Sequence, residues 1–331
     1  MPTGLQQSPR PVPSGLEATL RTARGSTNDP SPERHGPARA LRAALDRYRL
    51  ATSAPHTAWG FQSRWRTVRG VATHDRASLP GSSGAPRLVL LHGLAVSHRY
   101  LMPVAARLAQ HHPVHVVDLP GFGLSGEPGR VLDVAEHADH VAAWLDASGL
   151  APVVVLGNSF GCQVAVDLAV RHPHLVCGLV LVGPTVDPAA RTASRQILRW
   201  LRDTIREDPL QLPILVRDVR DAGLDRVAGT LAHAVRDPIE GKLPLVKVPT
   251  LITRGAKEPI VPMAWAQAAT RLLPHGQLAI VPASPHNANY SAADQLAELV
   301  LAFLRRKLAA RDGQRRGEPS GWPGPGWPGH L

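Results

Sequence analysis

The stretch from Val153 to Gly161 constrains the fold of this chain more than any other. It begins with three valines and a leucine, a run typical of a strand buried on both faces in a parallel sheet. A Gly-x-Ser-x-Gly pattern centred on Ser159 follows, and apolar residues at helical spacing continue to Val170. A strand, a sharp turn and a helix in this order project the central serine above the edge of the sheet. Ser159 is therefore the candidate nucleophile.

Strands and helices alternate on both sides of this stretch. Two polar strands around a turn are predicted at 63–69 and 71–76. Apolar runs typical of buried strands recur at Arg87–Leu91, Val114–Val117, Leu179–Val182, Thr250–Thr253 and Leu278–Val281. Stretches with helical spacing separate these runs, the last two over 263–273 and 292–308. The alternation predicts an α/β fold with a mostly parallel sheet and helices on both faces.

The alternation is interrupted by residues 185–246, which contain three helical patterns and no strand pattern. An insertion here would lie outside the carboxyl ends of the strands, where ligands bind in open α/β sheets, so we expect a helical lid. The predicted core is then 55–184 and 247–309. The remaining segments, 1–54 and 310–331, are expected to be largely disordered tails, with a short basic helix over 37–50.

The formal net charge of +11 is concentrated at the two ends. Residues 1–50 carry eight arginines against four acids, and residues 305–331 carry six Lys/Arg against two, so the ends hold +8 of the +11. A near-neutral body argues against a basic groove and hence against nucleic acid as a partner. No stretch has the length of a membrane span, and the first residues lack the apolar run of a secretory signal. We therefore expect a cytoplasmic location and no membrane span.

Four sequence blocks, in order and at family spacing, resemble the α/β-hydrolases of the lidded, single-domain kind. The resemblance covers roughly residues 60–308. The blocks are Leu91-His92-Gly93, Asp118-Leu-Pro-Gly-Phe-Gly123, the Ser159 turn and Pro285-His286. Four ordered blocks are far more specific than a Gly-x-Ser-x-Gly pattern alone.

The resemblance implies a Ser-acid-His catalytic triad. A serine hydroxyl needs a base to remove its proton, and His286 is the only histidine after the last strand. The acid is expected after the seventh strand of the family, where this chain has Glu258 in place of the usual aspartate. Asp187, after the sixth strand, is the alternative acid, because some relatives carry their acid there.

The resemblance also implies an oxyanion hole built from backbone N–H groups. The expected donors are Phe160, directly after the nucleophile, and Leu94, in the loop that follows His92-Gly93. We expect no metal, because the other histidines form no set at ligand spacing. We expect no cofactor, because no glycine-rich phosphate or dinucleotide loop opens a first helix.

Serine at the turn argues against haloalkane dehalogenases and epoxide hydrolases, which carry aspartate there. The prediction is a serine hydrolase that cleaves a carboxylic ester, or a related acyl bond, of a small and mainly apolar substrate. Its acyl pocket would be lined by Leu, Ile, Val and Trp200 of the lid. Three alternatives stay open: a carbon–carbon bond hydrolase of ring-cleavage products, an acyltransferase, and a non-catalytic ligand receptor of the same fold. The substrate itself and the oligomeric state are left open.

Overall fold

A computed structural model describes residues 37–52, 57–58, 60–79 and 85–315. Its strands are β1 (Thr57–Ala58), β2 (Phe61–Val68), β3 (Val71–Ser78), β4 (Leu88–Leu91), β5 (Val114–Val117), β6 (Val153–Asn158), β7 (Val176–Val182), β8 (Thr250–Gly255) and β9 (Gly276–Val281). They form one sheet in the order β1-β2-β3-β5-β4-β6-β7-β8-β9. The first three pairs of this order, β1–β2, β2–β3 and β3–β5, are antiparallel, and the remaining five pairs are parallel. The predicted mostly parallel sheet is therefore confirmed.

Helices cover both faces of the sheet. They are α1 (Pro37–Thr52), α2 (His98–Leu108), α3 (Val134–Ser148), α4 (Phe160–Arg171), α5 (Ala193–Thr204), α6 (Leu212–Ala222), α7 (Leu224–Arg236), α8 (Ile239–Lys242), α9 (Met263–Leu272), α10 (Ala288–Ser291) and α11 (Ala293–Arg315). One apolar cluster joins α3, α4 and α9 to one face, and a second joins α1, α2 and α11 to the other. The strands between them are apolar on both sides because both faces are buried.

Helices are present at both ends of the described chain, within segments that were predicted to be largely disordered tails. The helix expected over 37–50 is present as α1 and lies against α2, so it belongs to the packed body of the protein. Helix α11 continues to Arg315, past the predicted end of the core at 309. The rest of the predicted tails, 1–36 and 316–331, lies outside the described residues. None of the helices in the described ranges combines the length and apolar character needed to cross a bilayer.

The segment between β7 and β8 contains α5 to α8, with α5, α6 and α7 at the three predicted helical patterns. We call residues 185–246 the insertion. A buried polar contact ties it to the start of α2: Ser97 Oγ donates to both carboxylate oxygens of Asp218 at 3.0 Å, and Arg99 pairs with the same carboxylate. Burial raises the pKa of Asp218 to about 6, although Arg99 opposes the shift.

Candidate active site

Ser159 lies at a strained turn between β6 and α4. Its φ of 51° and ψ of −116° are sparsely populated for a residue with a side chain. The turn is possible because strand and helix approach too closely for side chains on either flank. A Cβ on Gly157 would lie 2.3 Å from the carbonyl oxygen of Gly161, and one on Gly161 would lie 2.5 Å from that of Leu91. The predicted strand–turn–helix around the serine is therefore present.

The end of β7 brings the serine and the histidine to the same edge of the sheet. The backbone N–H of Ser159 donates to the carbonyl of Val182 at 2.9 Å. The next residue, Gly183, has a φ of 60° and lies directly against the imidazole of His286. A Cβ at this glycine would be 2.7 Å from the Cε1 atom of His286. Only a residue without a side chain fits between the end of β7 and this imidazole.

His286 is paired with Glu258. The Nδ1 atom of the buried imidazole is hydrogen-bonded to Oε1 of Glu258. Its Nε2 atom is buried and has no hydrogen-bond partner among the described residues. When the ring is neutral, an imidazole that donates from Nδ1 to a carboxylate has its lone pair on Nε2, which is the atom a general base needs. Glu258 thus occupies the position expected of the acid.

The loop after β8 holds the glutamate in place. The second carboxylate oxygen of Glu258 accepts from the N–H of Gly255 at 3.1 Å. The guanidinium of Arg254 donates to the carbonyls of Glu258 and Val261, at 2.7 and 2.9 Å. The longer side chain of glutamate is accommodated because it folds back onto its own loop. Sequence analysis missed Arg254, since a strand-end arginine carries no signal of this role.

Asp187, the alternative acid, has other partners. Its carboxylate accepts from the guanidinium of Arg199 at 2.8 Å and from the N–H of Ala189 at 2.9 Å. It therefore caps the short 3₁₀ turn that opens the insertion and anchors α5. The structure therefore brings Glu258, and not Asp187, into hydrogen-bonding contact with the imidazole of His286.

The expected oxyanion donors lie beside a buried polar network. The N–H of Gly93 donates to the phenol oxygen of Tyr100 at 2.9 Å, and that hydroxyl is hydrogen-bonded to Asn158. The N–H of Leu94, next along the loop, has no acceptor among the described residues. Phe160 is the first residue of α4, so its N–H has no intrahelical acceptor. Sequence analysis missed Tyr100, because no pattern links it to the turn 58 residues away.

The insertion contributes a carboxylate to this region. The N–H of His286 faces both carboxylate oxygens of Asp203, at 3.3 and 3.2 Å, and Asp203 is fully buried. Trp200 is 39% exposed and Ile205 83% exposed. The apolar lining of the acyl pocket stays a prediction, and the large apolar side chains of α5 are exposed: Ile197, Leu198, Trp200 and Leu201.

The carboxylates determine the charge state of the imidazole. Burial by itself would lower the pKa of His286. The charge and hydrogen bond of Glu258, with the charges of Asp203 and Glu207, outweigh burial and raise that pKa to about 9. The resting imidazole is therefore protonated at neutral pH.

Asp118, interpreted from sequence as a turn former, is the centre of a separate buried cluster. Its carboxylate accepts from Nδ1 of His74 and His98 at 2.8 and 2.7 Å, and from the N–H groups of His98 and Leu124 at 2.7 and 3.0 Å. The three side chains are the one group in the described ranges with potential metal-ligand atoms within 4.8 Å of one another. Both Nδ1 atoms already bond the same carboxylate oxygen, so the arrangement is that of a hydrogen-bonded hub.

Known proteins resemble this chain in sequence. A family model described as the alpha/beta hydrolase fold matches residues 86–217. The dihydrolipoyllysine-residue acetyltransferase component of the acetoin cleaving system of Pseudomonas putida is 28% identical over 247 residues, which are 69% of this chain and 65% of that protein. A pimeloyl-[acyl-carrier protein] methyl ester esterase of Neisseria meningitidis is 28% identical over 259 residues, covering 71% of this chain and 98% of the esterase.

Solved structures show the same fold. A putative lipase from Acinetobacter baumannii superposes with a TM-score of 0.66 at 21% identity, covering 81% of this chain and 97% of the lipase. The enol-lactonase from Burkholderia xenovorans LB400 gives 0.64 at 21% identity, covering 73% of this chain and all of the lactonase. With the family match, the sheet order and the strained serine turn, these likenesses agree on one assignment. The chain has the α/β-hydrolase fold.

Proposed function

We propose that this chain is a serine hydrolase that cleaves a carboxylic ester, or a related acyl bond, of a small substrate. The observation that carries the proposal is the buried hydrogen bond between Glu258 and Nδ1 of His286, at the edge of the sheet where Ser159 stands. The names of the relatives support a hydrolase, since they include a methyl ester esterase and an enol-lactonase. The more specific assignment, cleavage of a carboxylic ester, is part of our proposal.

In the proposed mechanism, Oγ of Ser159 attacks the carbonyl carbon while Nε2 of His286 takes the hydroxyl proton. Glu258 holds the ring in the correct tautomer and stabilises the imidazolium that forms. The N–H groups of Leu94 and Phe160 donate to the oxygen that becomes negative. The intermediate collapses with release of the alcohol, which takes the proton from Nε2. Water, activated by the same imidazole, then hydrolyses the acyl-enzyme.

The proposed base has a pH requirement that can be measured. A base must be neutral to accept a proton, and the resting pKa of His286 is about 9. Because kcat/KM reports the ionisation of the free enzyme, we expect it to rise from neutral pH towards about pH 9.

We propose that the insertion, residues 185–246, acts as a lid over this site. Helix α5 supports this role, because Asp203 binds the backbone of His286 directly. The mainly apolar substrate expected from sequence remains part of the proposal. The cytoplasmic location is still a prediction.

Acyl transfer is the second candidate activity, favoured by the acetyltransferase component among the relatives. The same acyl-enzyme would then pass its acyl group to an alcohol, amine or thiol in place of water. Hydrolysis and transfer are distinguished by product analysis after adding such an acceptor. If transfer occurs, the ratio of free carboxylic acid to acyl-acceptor product should fall as the acceptor concentration is raised, while total turnover stays constant.

The proposed function is tested by assaying short-chain p-nitrophenyl esters with wild type and Ser159→Ala. We expect turnover by wild type and a loss of at least about 10³-fold in the variant. Ser194→Ala is the matched control, because Ser194 is an exposed serine in α5. Ester hydrolysis that is equal in all three proteins would overturn the assignment of the nucleophile.

A further inference from the structure

Two carboxylates of the insertion meet next to His286. Asp203 lies near the end of α5 and is fully buried, and Glu207 follows one turn later and is partly buried. The backbone N–H of His286 faces both oxygens of Asp203, at 3.2 and 3.3 Å. Asp203 and Glu207 lie close enough for each to shift the pKa of the other. The proposed base is thus held from the insertion as well as from Glu258.

No arginine or lysine in the described part of the chain forms an ion pair with either acid. Burial raises the pKa of Asp203, and burial together with the charge of Asp203 raises the pKa of Glu207 to about 7. Burial and mutual repulsion therefore favour the protonated form of this pair. The positive group acting on both is the imidazolium of His286.

The other charged groups around the pair are accounted for. Glu258 faces His286 from the loop after β8. Tyr100 faces Glu207 from α2 and stays neutral, because burial raises its pKa well above the usual value. Asp218 is also near Tyr100 and is bound to Arg99. The pair is therefore the one charged contribution of the insertion to the imidazole among the described residues.

We propose that Asp203 is a positioning residue for His286, and that Asp203 and Glu207 together couple docking of the insertion to protonation of the imidazole. The proposal rests on the proposed function of His286 as the base. With the insertion docked, the backbone of His286 is held and the imidazolium that forms during attack by Ser159 is stabilised. When the insertion moves away from His286, both effects are lost. The pKa of the imidazole is therefore raised by Asp203 and Glu207 only while the insertion is docked.

Three variants separate position from charge. Asp203→Asn keeps an oxygen that accepts from the N–H of His286, whereas Asp203→Ala removes it. Asp203→Asn with Glu207→Gln removes all charge from the pair. Asp208→Asn is the matched control, because Asp208 lies in the same segment and pairs with Arg47 on α1.

The readout is the acidic limb of kcat/KM for a p-nitrophenyl ester. In the double variant we expect the limb to move down by about one pH unit, with the alkaline plateau nearly unchanged. In Asp203→Ala we expect the plateau itself to fall about tenfold, because the loop that carries His286 loses its anchor. Asp208→Asn should superimpose on wild type. A limb that stays at the wild-type pH in the double variant would overturn the coupling.

The pKa of His286 can also be measured without any activity, by NMR titration with His286→Gln to assign the resonance. A downward shift in the double variant, absent in Asp208→Asn, supports the coupling even if no ester is cleaved. An unshifted resonance in a folded double variant overturns it. Failure of the proposed function, in contrast, would appear as unchanged hydrolysis in Ser159→Ala, so the two failures are distinguishable.

Discussion

Gly183→Ala tests whether the imidazole of His286 must stay where the structure places it. The new Cβ would lie 2.7 Å from Cε1 and 2.8 Å from Nδ1 of His286, and 3.0 Å from Oε1 of Glu258. Ordinary contact begins at 3.4 Å, so the ring must move by about 0.7 Å. A displacement approaching 1 Å in a catalytic group can cost about 10²-fold in rate, which is the loss of kcat/KM that we expect.

The same substitution also costs stability, and Gly149→Ala controls for that cost. Gly183 has a φ of 60° and Gly149 a φ of 61°, so alanine is strained by about 1–2 kcal/mol at either position. A Cβ at Gly149, the C-cap of α3, meets nothing within 4 Å. We expect both variants to lose this amount in urea unfolding and Gly183→Ala to lose about 1–3 kcal/mol more through overpacking. Only Gly183→Ala should lose activity.

The assay is hydrolysis of a p-nitrophenyl ester in buffer without urea, at a pH where circular dichroism shows that both variants are folded. If Gly183→Ala hydrolyses the ester as fast as Gly149→Ala, the position of the imidazole does not matter to the reaction. That result would refute the role given to His286, whatever the two stabilities are.

Three further predictions follow from the contacts. Glu258→Gln should slow ester hydrolysis by about 10³- to 10⁴-fold, because the imidazole of His286 loses its carboxylate partner. Asp187→Asn weakens only the contact with Arg199 and should leave initial rates within about threefold of wild type. Equal losses in the two variants would remove the distinction between the two acids. Asp118→Asn leaves at least one of four buried donors facing an amide N–H₂, so urea unfolding should show a loss of about 3 kcal/mol, and a loss below about 1 kcal/mol would contradict the hub. Burial lowers the pKa of His98 to about 4, so the unfolded chain takes up this proton first and the free energy of unfolding should fall as pH drops from about 6.5 to about 4. Unfolding measured in urea across this range should show a smaller fall in His98→Gln than in wild type, because only the other buried histidines then contribute; an equal fall in the two proteins would contradict the prediction.

Much of the core could be predicted because its signals are local. The buried run that begins at Val153 and the glycines around Ser159 lie within nine residues, and together they impose a strand, a turn and a helix. The position of Glu258 beside His286 was implied by the resemblance of its loop to that of the α/β-hydrolases, and it agrees with the geometry of the sheet. Parallel strands end at the same edge, so residues that follow them meet there. The contact between the two side chains is present; their catalytic role is still a prediction.

The insertion was predicted less well, for a physical reason. Helical spacing identifies the apolar face of a helix but not which way that face points. Leu201 and Ile205 belong to the apolar spacing of α5, yet they are exposed, and Asp203 between them is buried. The burial of Asp203 depends on the N–H of His286, which is 83 residues away. Partners this distant leave no periodic pattern in a single sequence.

The central claim is that Ser159 is an activated nucleophile, and covalent labelling tests it most directly. Wild type, Ser159→Ala and the control Ser194→Ala are treated with a fluorophosphonate, and each intact mass is determined by mass spectrometry. We predict one adduct on wild type and on Ser194→Ala, located on the peptide that contains Ser159, and none on Ser159→Ala. A folded wild-type protein that stays unlabelled, or an adduct that persists in Ser159→Ala, would contradict the account.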